Sequence, residues 1–151
     1  MKLINLQFRV AQSDDQEDVL DMMRDFYAID GYPFDRVRSR KNFLTLIADE
    51  SLGRLWIIMD ELETIGYLVL AFGFSFEYGG RDAFIDELYL KAGYRGRGIG
   101  GEVIDFVSRE AKALGVYALH LEVERHNERG NRLYRKKGFG GHERTLLTKW
   151  L

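Results

Sequence analysis

A glycine-rich segment, residues 95–101 with the sequence RGRGIGG, is the part of this chain best suited to hold a ligand through its backbone. Glycine is costly to order, but it lets backbone N–H groups approach a bound group closely. The surrounding pattern predicts a strand before the segment and a helix after it, and the first N–H groups of a helix attract anions. Arg95 and Arg97 add charge-assisted donors. The segment therefore predicts a phosphate-binding loop; the alternative is a flexible turn with solvated arginines.

Charged residues are distributed unevenly along the chain, although the net charge is only −2. Residues 91–97 carry three bases and no acid, and residues 125–137 carry six bases and one acid. Residues 14–30 instead hold seven acids and one base. This distribution indicates one surface for an anionic ligand and another for a cation, unless the runs are solvated helix faces. The small net charge gives no indication of a nucleic-acid or membrane partner.

The length of 151 residues fits one domain, residues 1–151, with its own hydrophobic core. The absence of cysteine excludes disulfides, thiolate metal sites and cysteine nucleophiles. With only three histidines, we expect no metal site. Polar residues interrupt the N-terminal apolar patch, which therefore resembles neither a signal peptide nor a membrane span, and we expect a cytoplasmic protein.

Hydrophobic periodicity predicts ten elements in the order β-α-α-β-β-β-α-β-α-β. The predicted strands are residues 3–10, 54–60, 64–76, 82–90, 116–123 and the tail 144–151. The predicted helices lie between Ser13 and Gly31 and over residues 35–49, 99–114 and 128–137. Hairpins join the second, third and fourth strands, and a helical crossover joins the fourth strand to the fifth. The order predicts a mixed α/β fold whose sheet is partly antiparallel.

The glycine segment also fits the dinucleotide fingerprint G-x-G-x-x-G, from Gly96 to Gly101, with Glu122 about twenty residues further on. Three features oppose that interpretation. Five residues separate the predicted strand from the first glycine, hairpins replace the upstream βαβ units, and little chain is left for a substrate domain.

A second pattern fits better. Arg95-x-x-Gly98-x-Gly100 resembles the acetyl-coenzyme A signature of the GNAT N-acetyltransferase superfamily, and residues 85–100 resemble its fourth strand and pyrophosphate loop. Residues 127–139, NERGNRLYRKKGF, resemble the second signature of the superfamily, at the usual separation. The predicted element order agrees with the family fold along nearly the whole chain. The resemblance implies a single GNAT-like domain: a mostly antiparallel central sheet, a parallel pair of strands four and five, and helices on both faces.

Two residues and the length of the tail depart from the family pattern. Gly93 stands where proline is frequent, and Gly130 stands where alanine is frequent. Only twelve residues follow Phe139, where the family usually has two strands. The wall that these strands would build on the acceptor side is therefore in question.

The resemblance implies which residues bind acetyl-coenzyme A. Backbone N–H groups of Gly96, Arg97, Gly98, Ile99 and Gly100 would hold the pyrophosphate, with Arg95 and Arg97 assisting. Backbone groups of Leu88 and Leu90 would pair with the pantetheine arm as an added strand does, while their side chains belong to the core. Asn127 would bond the arm of the coenzyme; the alternative, equally open, is an N-cap for the following helix.

The resemblance also implies the groups that move protons. A protonated amine must lose a proton before it attacks. In the related spermidine/spermine N-acetyltransferases, an acid occupies the place of Asp86 and Glu87, and that acid is the proposed base. Strict alternation along a strand puts Asp86 on the side of Leu88 and Leu90, which favours Asp86 over Glu87. Alternatively, both carboxylates are strand-edge charges or cap partners. Tyr134 matches the family tyrosine that protonates the leaving thiolate, or else it only packs on the core.

The implied function is transfer of an acetyl group to a primary amine of a small molecule or peptide, by direct attack in a ternary complex without a metal. The acids of residues 14–30, with Asp86 and Glu87, favour a cationic acceptor. The rival is a non-catalytic acyl-coenzyme A sensor or interaction module on the same fold. Retention of both a strand-four carboxylate and Tyr134 favours catalysis over sensing. We expect no nucleic acid or membrane partner, and a homodimer is left open.

Overall fold

Five strands and four helices of at least two turns make up the computed structural model, which describes residues 4–151. The strands are β1 (Leu6–Val10), β2 (Gly53–Asp60), β3 (Glu63–Ser75), β4 (Gly80–Leu90) and β5 (Ala118–Leu121). The helices are α1 (Gln16–Ile29), α2 (Arg36–Ala48), α3 (Ile99–Ala113) and α4 (Glu128–Lys136). The periodicity therefore located every helix and the first five strands correctly. Leu3, the first residue of the predicted first strand, lies outside the described residues.

The strands form one sheet in chain order, β1-β2-β3-β4-β5. The first three neighbouring pairs are antiparallel. Short connections join β2 to β3 and β3 to β4 as hairpins, which are antiparallel pairs. The α3 crossover makes β4 and β5 parallel. The predicted α/β fold, with a mostly antiparallel sheet and one parallel pair, is confirmed.

Alternating side chains bury both faces of the sheet. On one face, α3 packs its apolar stripe, which includes Val103 and Val107, against Leu68, Leu70 and Ile85. On the other face, α1 and α2 cover Tyr67, Val69 and Tyr89 through side chains such as Val19 and Phe43. We call these the α3 face and the α1 face. Helices on both faces agree with the sequence prediction, and each face presents a different set of β4 side chains.

The predicted strand over residues 144–151 is absent from the structure, and that prediction is wrong for this chain as described. A strand requires a neighbour to pair with, and these residues pair with none of the described strands. The tail is attached by one bidentate ion pair, in which Arg144 donates to both carboxylate oxygens of Glu77 at 2.6 and 3.0 Å. The alternation of apolar and polar residues in the tail predicted an extended segment, but it gave no information on which strand the tail would pair with.

Candidate functional site

The loop that joins β4 to α3 has the backbone shape that its glycines allow. After a single 3-10 turn, Ala92–Tyr94, the chain reaches Gly96 at φ +79° and Gly98 at φ +82°. Both angles lie in the left-handed region, which side chains with a Cβ rarely adopt. Gly98 is the N-cap of α3, so the free N–H groups of the first turn follow it directly. This geometry can hold an anion at the start of the helix.

Helix α4 packs across this loop and leaves little space for side chains at Gly96 and Gly100. A Cβ on Gly96 would lie 2.4 Å from the guanidinium of Arg129, and a Cβ on Gly100 would lie 3.1 Å from Leu133. Between the loop and α4 lies a cleft of about 500 Å³, lined by Gly98, Arg129 and other residues of the loop, α3 and α4. The cleft therefore combines helix N–H donors with arginine side chains, as a diphosphate requires.

The two arginines of the loop make different contacts. Nε of Arg95 donates to the carbonyl oxygen of Leu90 at 2.7 Å, and its guanidinium lies 5.3 Å from the centroid of the Tyr89 ring. The guanidinium of Arg97 lies 5.6 Å from the centroid of the Tyr94 ring. Arg95 therefore fixes the end of β4 to the loop, whereas Arg97 lies on the exposed side of the loop.

Strand β4 separates from β5 halfway along its length. Residues Asp82–Ile85 pair with β5, whereas residues 87–90 pair only with β3 and Asp86 pairs with neither strand. Backbone groups on this second half of β4 thus form a free edge that ends at the glycine loop. An extended ligand can add to such an edge as a further strand, as the sequence implied for Leu88 and Leu90. The side chains of both leucines pack on the α3 face.

A β-bulge lies where the two strands separate. Glu87 is opposite Val69 and Ile85 is opposite Leu70, so Asp86 is the extra residue without a partner on β3. Alternation is reset there: Ile85 and Leu88 both pack on the α3 face, although three positions separate them. The strict alternation that favoured Asp86 over Glu87 is therefore wrong at this point. The bulge gives each carboxylate an environment of its own.

Glu87 is held by two tyrosines on the α1 face. The hydroxyl of Tyr27 donates to Oε2 at 2.5 Å, and that of Tyr67 donates to Oε1 at 2.7 Å. Burial raises the pKa of Glu87, and the two hydrogen bonds oppose that rise. Burial and the Glu87 carboxylate raise the pKa of both tyrosines, so they remain donors. Glu87 is thus held in one position by two hydroxyl donors.

Asp86, in contrast, makes no side-chain hydrogen bond or ion pair with any residue from 4 to 151. It is exposed, yet the protein around the bulge desolvates its carboxylate and raises its pKa above the ordinary value. Its charge contributes to the raised pKa of Tyr27 and of Tyr67, which places it close to the Glu87 cluster. A free carboxylate with a raised pKa is suited to accept a proton.

Tyr134 lies in α4, half-buried against the α3 face. Its ring contacts Phe139 edge-on, with 6.1 Å between the centroids. Burial raises the pKa of its phenol, and its hydroxyl forms no hydrogen bond within the described chain. The phenol therefore stays protonated and has a proton to donate. Tyr134 therefore both packs on the core, which was the alternative role, and keeps a phenol that can donate a proton.

Asn127 caps helix α4. Its side-chain oxygen accepts a hydrogen bond from the N–H of Gly130 at 2.9 Å, so the N-cap predicted as its alternative role is confirmed. Gly130, a departure from the family pattern, leaves room for this cap, since a Cβ there would lie 2.7 Å from the amide nitrogen of Asn127. Binding of a coenzyme by Asn127 stays a prediction.

Two further polar contacts join the loop after α1 to the segment after β5. The hydroxyl of Tyr32 donates to Glu124, and Nε2 of His126 lies 3.1 Å from Oδ1 of Asp30. The N–H of Tyr32 also donates to the carbonyl oxygen of Tyr27 at 2.9 Å, which connects this loop to the Glu87 cluster. Asp30, directly after α1, and Glu124, after β5, therefore lie in segments that Tyr32 connects to the Glu87 cluster.

Sequence reasoning did not assign a site role to Tyr27, Tyr67 or Tyr32. Tyr27 belongs to the apolar series of its helix and Tyr67 to a buried strand, so both resemble ordinary core residues in the sequence. Their contacts span 60 and 20 residues to Glu87, and no local spacing marks such pairs. Among the residues described, no group of three His, Asp or Glu side chains could hold a metal ion, and no helix is long and apolar enough to cross a membrane.

This chain belongs to the acetyltransferase (GNAT) family, whose sequence pattern matches residues 17–139. It is 34% identical over 86 residues to a thialysine N-epsilon-acetyltransferase from Bos taurus, which covers 57% of this chain and 49% of that protein. It is 29% identical over 86 residues to the uncharacterized N-acetyltransferase YycN from Bacillus subtilis (strain 168), covering 56% and 54%. The matches therefore span about half the length of these curated relatives.

Solved structures share this fold along nearly the whole chain. An integron cassette protein from the mobile metagenome of Cole Harbour Salt Marsh superposes with a TM-score of 0.85 at 32% identity, covering 96% of this chain and 90% of that one. A predicted acetyltransferase from Clostridium acetobutylicum, solved with acetyl-CoA, has a TM-score of 0.81 at 20% identity, covering 95% and 96%. The second likeness concerns the fold alone.

Proposed function

We propose that this chain is an acetyl-coenzyme A-dependent N-acetyltransferase that acts on a primary amine. The observation that carries the proposal is the one-sided pairing of residues 87–90, a free strand edge between a helix N-terminal loop and a bulge with an unpartnered carboxylate. An acyl-coenzyme A arm fits that edge, and its diphosphate fits the loop. A pure coenzyme sensor would need the edge and the loop, but not Asp86 beside them.

The coenzyme supplies an activated acetyl thioester, and this chain supplies binding and proton transfer. Backbone groups of Leu88 and Leu90 would bind the arm, and residues 96–100 with Arg95 and Arg97 would bind the diphosphate. Asp86 would take the proton of the bound amine, directly or through water, and the amine would then attack the acetyl carbon. The phenol of Tyr134 would give its proton to the departing thiolate and regain one, directly or through water, from the nitrogen that has attacked. The sequence contains no cysteine to carry the acetyl group, so we propose direct transfer in a ternary complex.

Gly98→Val is expected to weaken acetyl-coenzyme A binding by about tenfold or more, the equivalent of roughly 1.4 kcal/mol. No atom outside its neighbours lies within 4 Å of the position where its Cβ would stand, so the new side chain fills ligand space rather than the core. Isothermal titration calorimetry with acetyl-coenzyme A measures the change.

Gly115→Val is the matched control for this substitution. Gly115 follows the other end of α3, at φ +79° and with an equally open Cβ position, so both variants carry the same backbone strain. We expect the two proteins to lose similar stability in thermal unfolding, and only Gly98→Val to lose affinity. Equal affinity in the two variants would remove the loop from the site.

The acceptor that we propose is a cationic amine. Asp86 and Glu87 lie beside the free edge, and Asp30, Glu122 and Glu124 act together on Tyr32 nearby, so several carboxylates share this region. The likeness to a thialysine N-epsilon-acetyltransferase supports an amine at the end of a flexible side chain. A thiol-release assay with thialysine, lysine, polyamines, aminoglycosides and neutral amines tests both the activity and the class of acceptor.

The kcat/KM of the preferred acceptor is expected to be highest for a multiply cationic amine and to fall as salt is added, because charges farther apart than about 10 Å are screened at 0.1 M. The kcat/KM of a neutral amine should barely change with salt. A neutral amine as the best substrate, without salt dependence, would contradict the cationic acceptor. If no amine releases thiol while acetyl-coenzyme A still binds, the sensor is the correct function.

A further inference from the structure

Six basic residues lie in the segment 125–137, and the proposed function uses none of them. Three of the six line the cleft between α4 and the glycine loop: Arg129, Lys136 and Lys137. Lys137 is already neutralised there, because its Nζ lies 2.5 Å from Oδ2 of Asp105. The basic run is therefore more than a solvated helix face, and part of it forms a wall of this cleft.

Arg129 lies directly against the glycine loop. A Cβ on Gly96 would collide with a terminal guanidinium nitrogen of Arg129, so the guanidinium covers the backbone of the loop at this glycine. Gly98, two residues later, is the N-cap of α3. The guanidinium of Arg129 is therefore close to the free N–H groups in the first turn of α3, where a helix attracts anions.

The charge of Arg129 has no acidic partner. Among residues 4–151, no carboxylate forms an ion pair with it: Glu128 lies 3.8 Å from Arg132 instead, and Glu102 belongs to the first turn of α3. Arg129 is also the second residue of α4, where the helix dipole favours an acid over a base. A cation placed against this preference, facing an anion-binding loop, indicates that a bound anion supplies its counter-charge.

The two arginines of the loop itself are less available to a ligand. Nε of Arg95 already donates to the carbonyl oxygen of Leu90 at 2.7 Å. The guanidinium of Arg97 lies over the ring of Tyr94, outside the cleft lining. Within the described part of the chain, Arg129 is the one arginine that lines the cleft without a hydrogen-bond partner for its side chain.

We infer that Arg129 is the principal cation on the diphosphate of coenzyme A. The diphosphate would lie between the first turn of α3 and the guanidinium, whose planar fork donates two hydrogen bonds to phosphate oxygens. The inference rests on the proposed function, which puts the diphosphate in this cleft. It gives α4 two contacts with the coenzyme, one to the diphosphate through Arg129 and one to the leaving thiolate through Tyr134.

Arg129→Gln is expected to raise the Kd of acetyl-coenzyme A by about tenfold or more, because a charge-assisted contact to phosphate is lost. S-acetylpantetheine has no phosphate, so its Kd should be the same in the variant and the parent. Arg129→Lys keeps the charge without the fork and should recover part of the affinity. Calorimetry measures the Kd of acetyl-coenzyme A, and an NMR titration measures the weaker binding of S-acetylpantetheine.

Arg132→Gln is the matched control for this substitution. It removes the same charge from the same helix, but Arg132 contacts Glu128 and is not part of the cleft lining. Its affinity for acetyl-coenzyme A should barely change. Both arginines are exposed, so neither substitution should alter thermal unfolding.

Acetyl-dephospho-coenzyme A keeps the diphosphate and lacks only the 3′-phosphate, so Arg129→Gln should weaken the binding of both donors equally. If the loss disappears with this donor, Arg129 binds the 3′-phosphate and the inference is wrong. Two further results would overturn it while leaving the proposed function intact: equal Kd values for acetyl-coenzyme A in Arg129→Gln and the parent, or a larger loss in Arg97→Gln. A parent that does not bind acetyl-coenzyme A would overturn the proposed function as well.

Discussion

Asp86→Asn is expected to lower kcat/KM for the amine acceptor by about 10²–10⁴-fold, the usual contribution of general base catalysis. The alkyl ammonium of the acceptor has a pKa of about 10.4, and it must lose a proton before the amine can attack. Asparagine keeps the size of the side chain but cannot accept that proton. Because the Asp86 side chain makes no hydrogen bond with the described chain, stability and affinity for acetyl-coenzyme A should barely change. Steady-state kinetics and calorimetry measure these quantities.

The pH profile identifies the base independently of the size of the loss. Desolvation raises the pKa of Asp86 above its ordinary value of about 3.9. A base acts only when it is deprotonated, so kcat/KM of the parent should fall as the pH drops through this raised pKa. The Asp86→Asn variant should lack that acidic limb.

Glu87→Gln is the matched control on the neighbouring residue. The change leaves the two tyrosine hydroxyls facing an amide with one acceptor oxygen, since Glu87 accepts from Tyr27 and Tyr67 through separate oxygens. We expect a loss of stability and a higher KM for a cationic acceptor, with a smaller effect on kcat. If Glu87→Gln instead abolishes turnover and removes the acidic limb while Asp86→Asn does neither, Glu87 is the base.

The parts of the fold that local sequence determines were predicted well. Hydrophobic periods located α3 and α4, and the spacing of Arg95, Gly98 and Gly100 marked the loop at the start of α3, because caps and turns depend on residues a few positions apart. The tail was predicted as a strand for the same local reason. Its pairing depends on a partner that no local pattern specifies, and the structure leaves it unpaired.

The arrangement of the carboxylates could not be predicted in the same way. The bulge at Asp86 depends on how β4 pairs with Val69 and Leu70 of β3, and alternation read along β4 alone cannot reveal it. The hydroxyls that hold Glu87 come from a helix and from a neighbouring strand. A sequence pattern therefore identified the pair of acids, but only the tertiary fold separates a fixed acid from a free one.

Tyr134→Phe is expected to lower kcat by about 10²-fold if chemistry limits turnover, because it removes the proton donor for the departing thiolate and little else. The ring still packs against Phe139, and the hydroxyl makes no hydrogen bond within residues 4–151, so stability and acetyl-coenzyme A affinity should be unchanged. Tyr117→Phe removes a largely exposed hydroxyl elsewhere and serves as the control. Steady-state kinetics compares the two variants.

The pH dependence of this variant separates proton donation from packing. Burial raises the pKa of Tyr134, and a donor acts only while it is protonated, so activity of the parent should fall as the pH rises through that pKa. Tyr134→Phe should lose this basic limb. The loss of rate is limited, because a thiolate whose thiol has a pKa of about 8.5 can leave without a proton donor. If the variant turns over like the parent at every pH, Tyr134 only packs, and the proton reaches the thiolate from water or from the attacking amine.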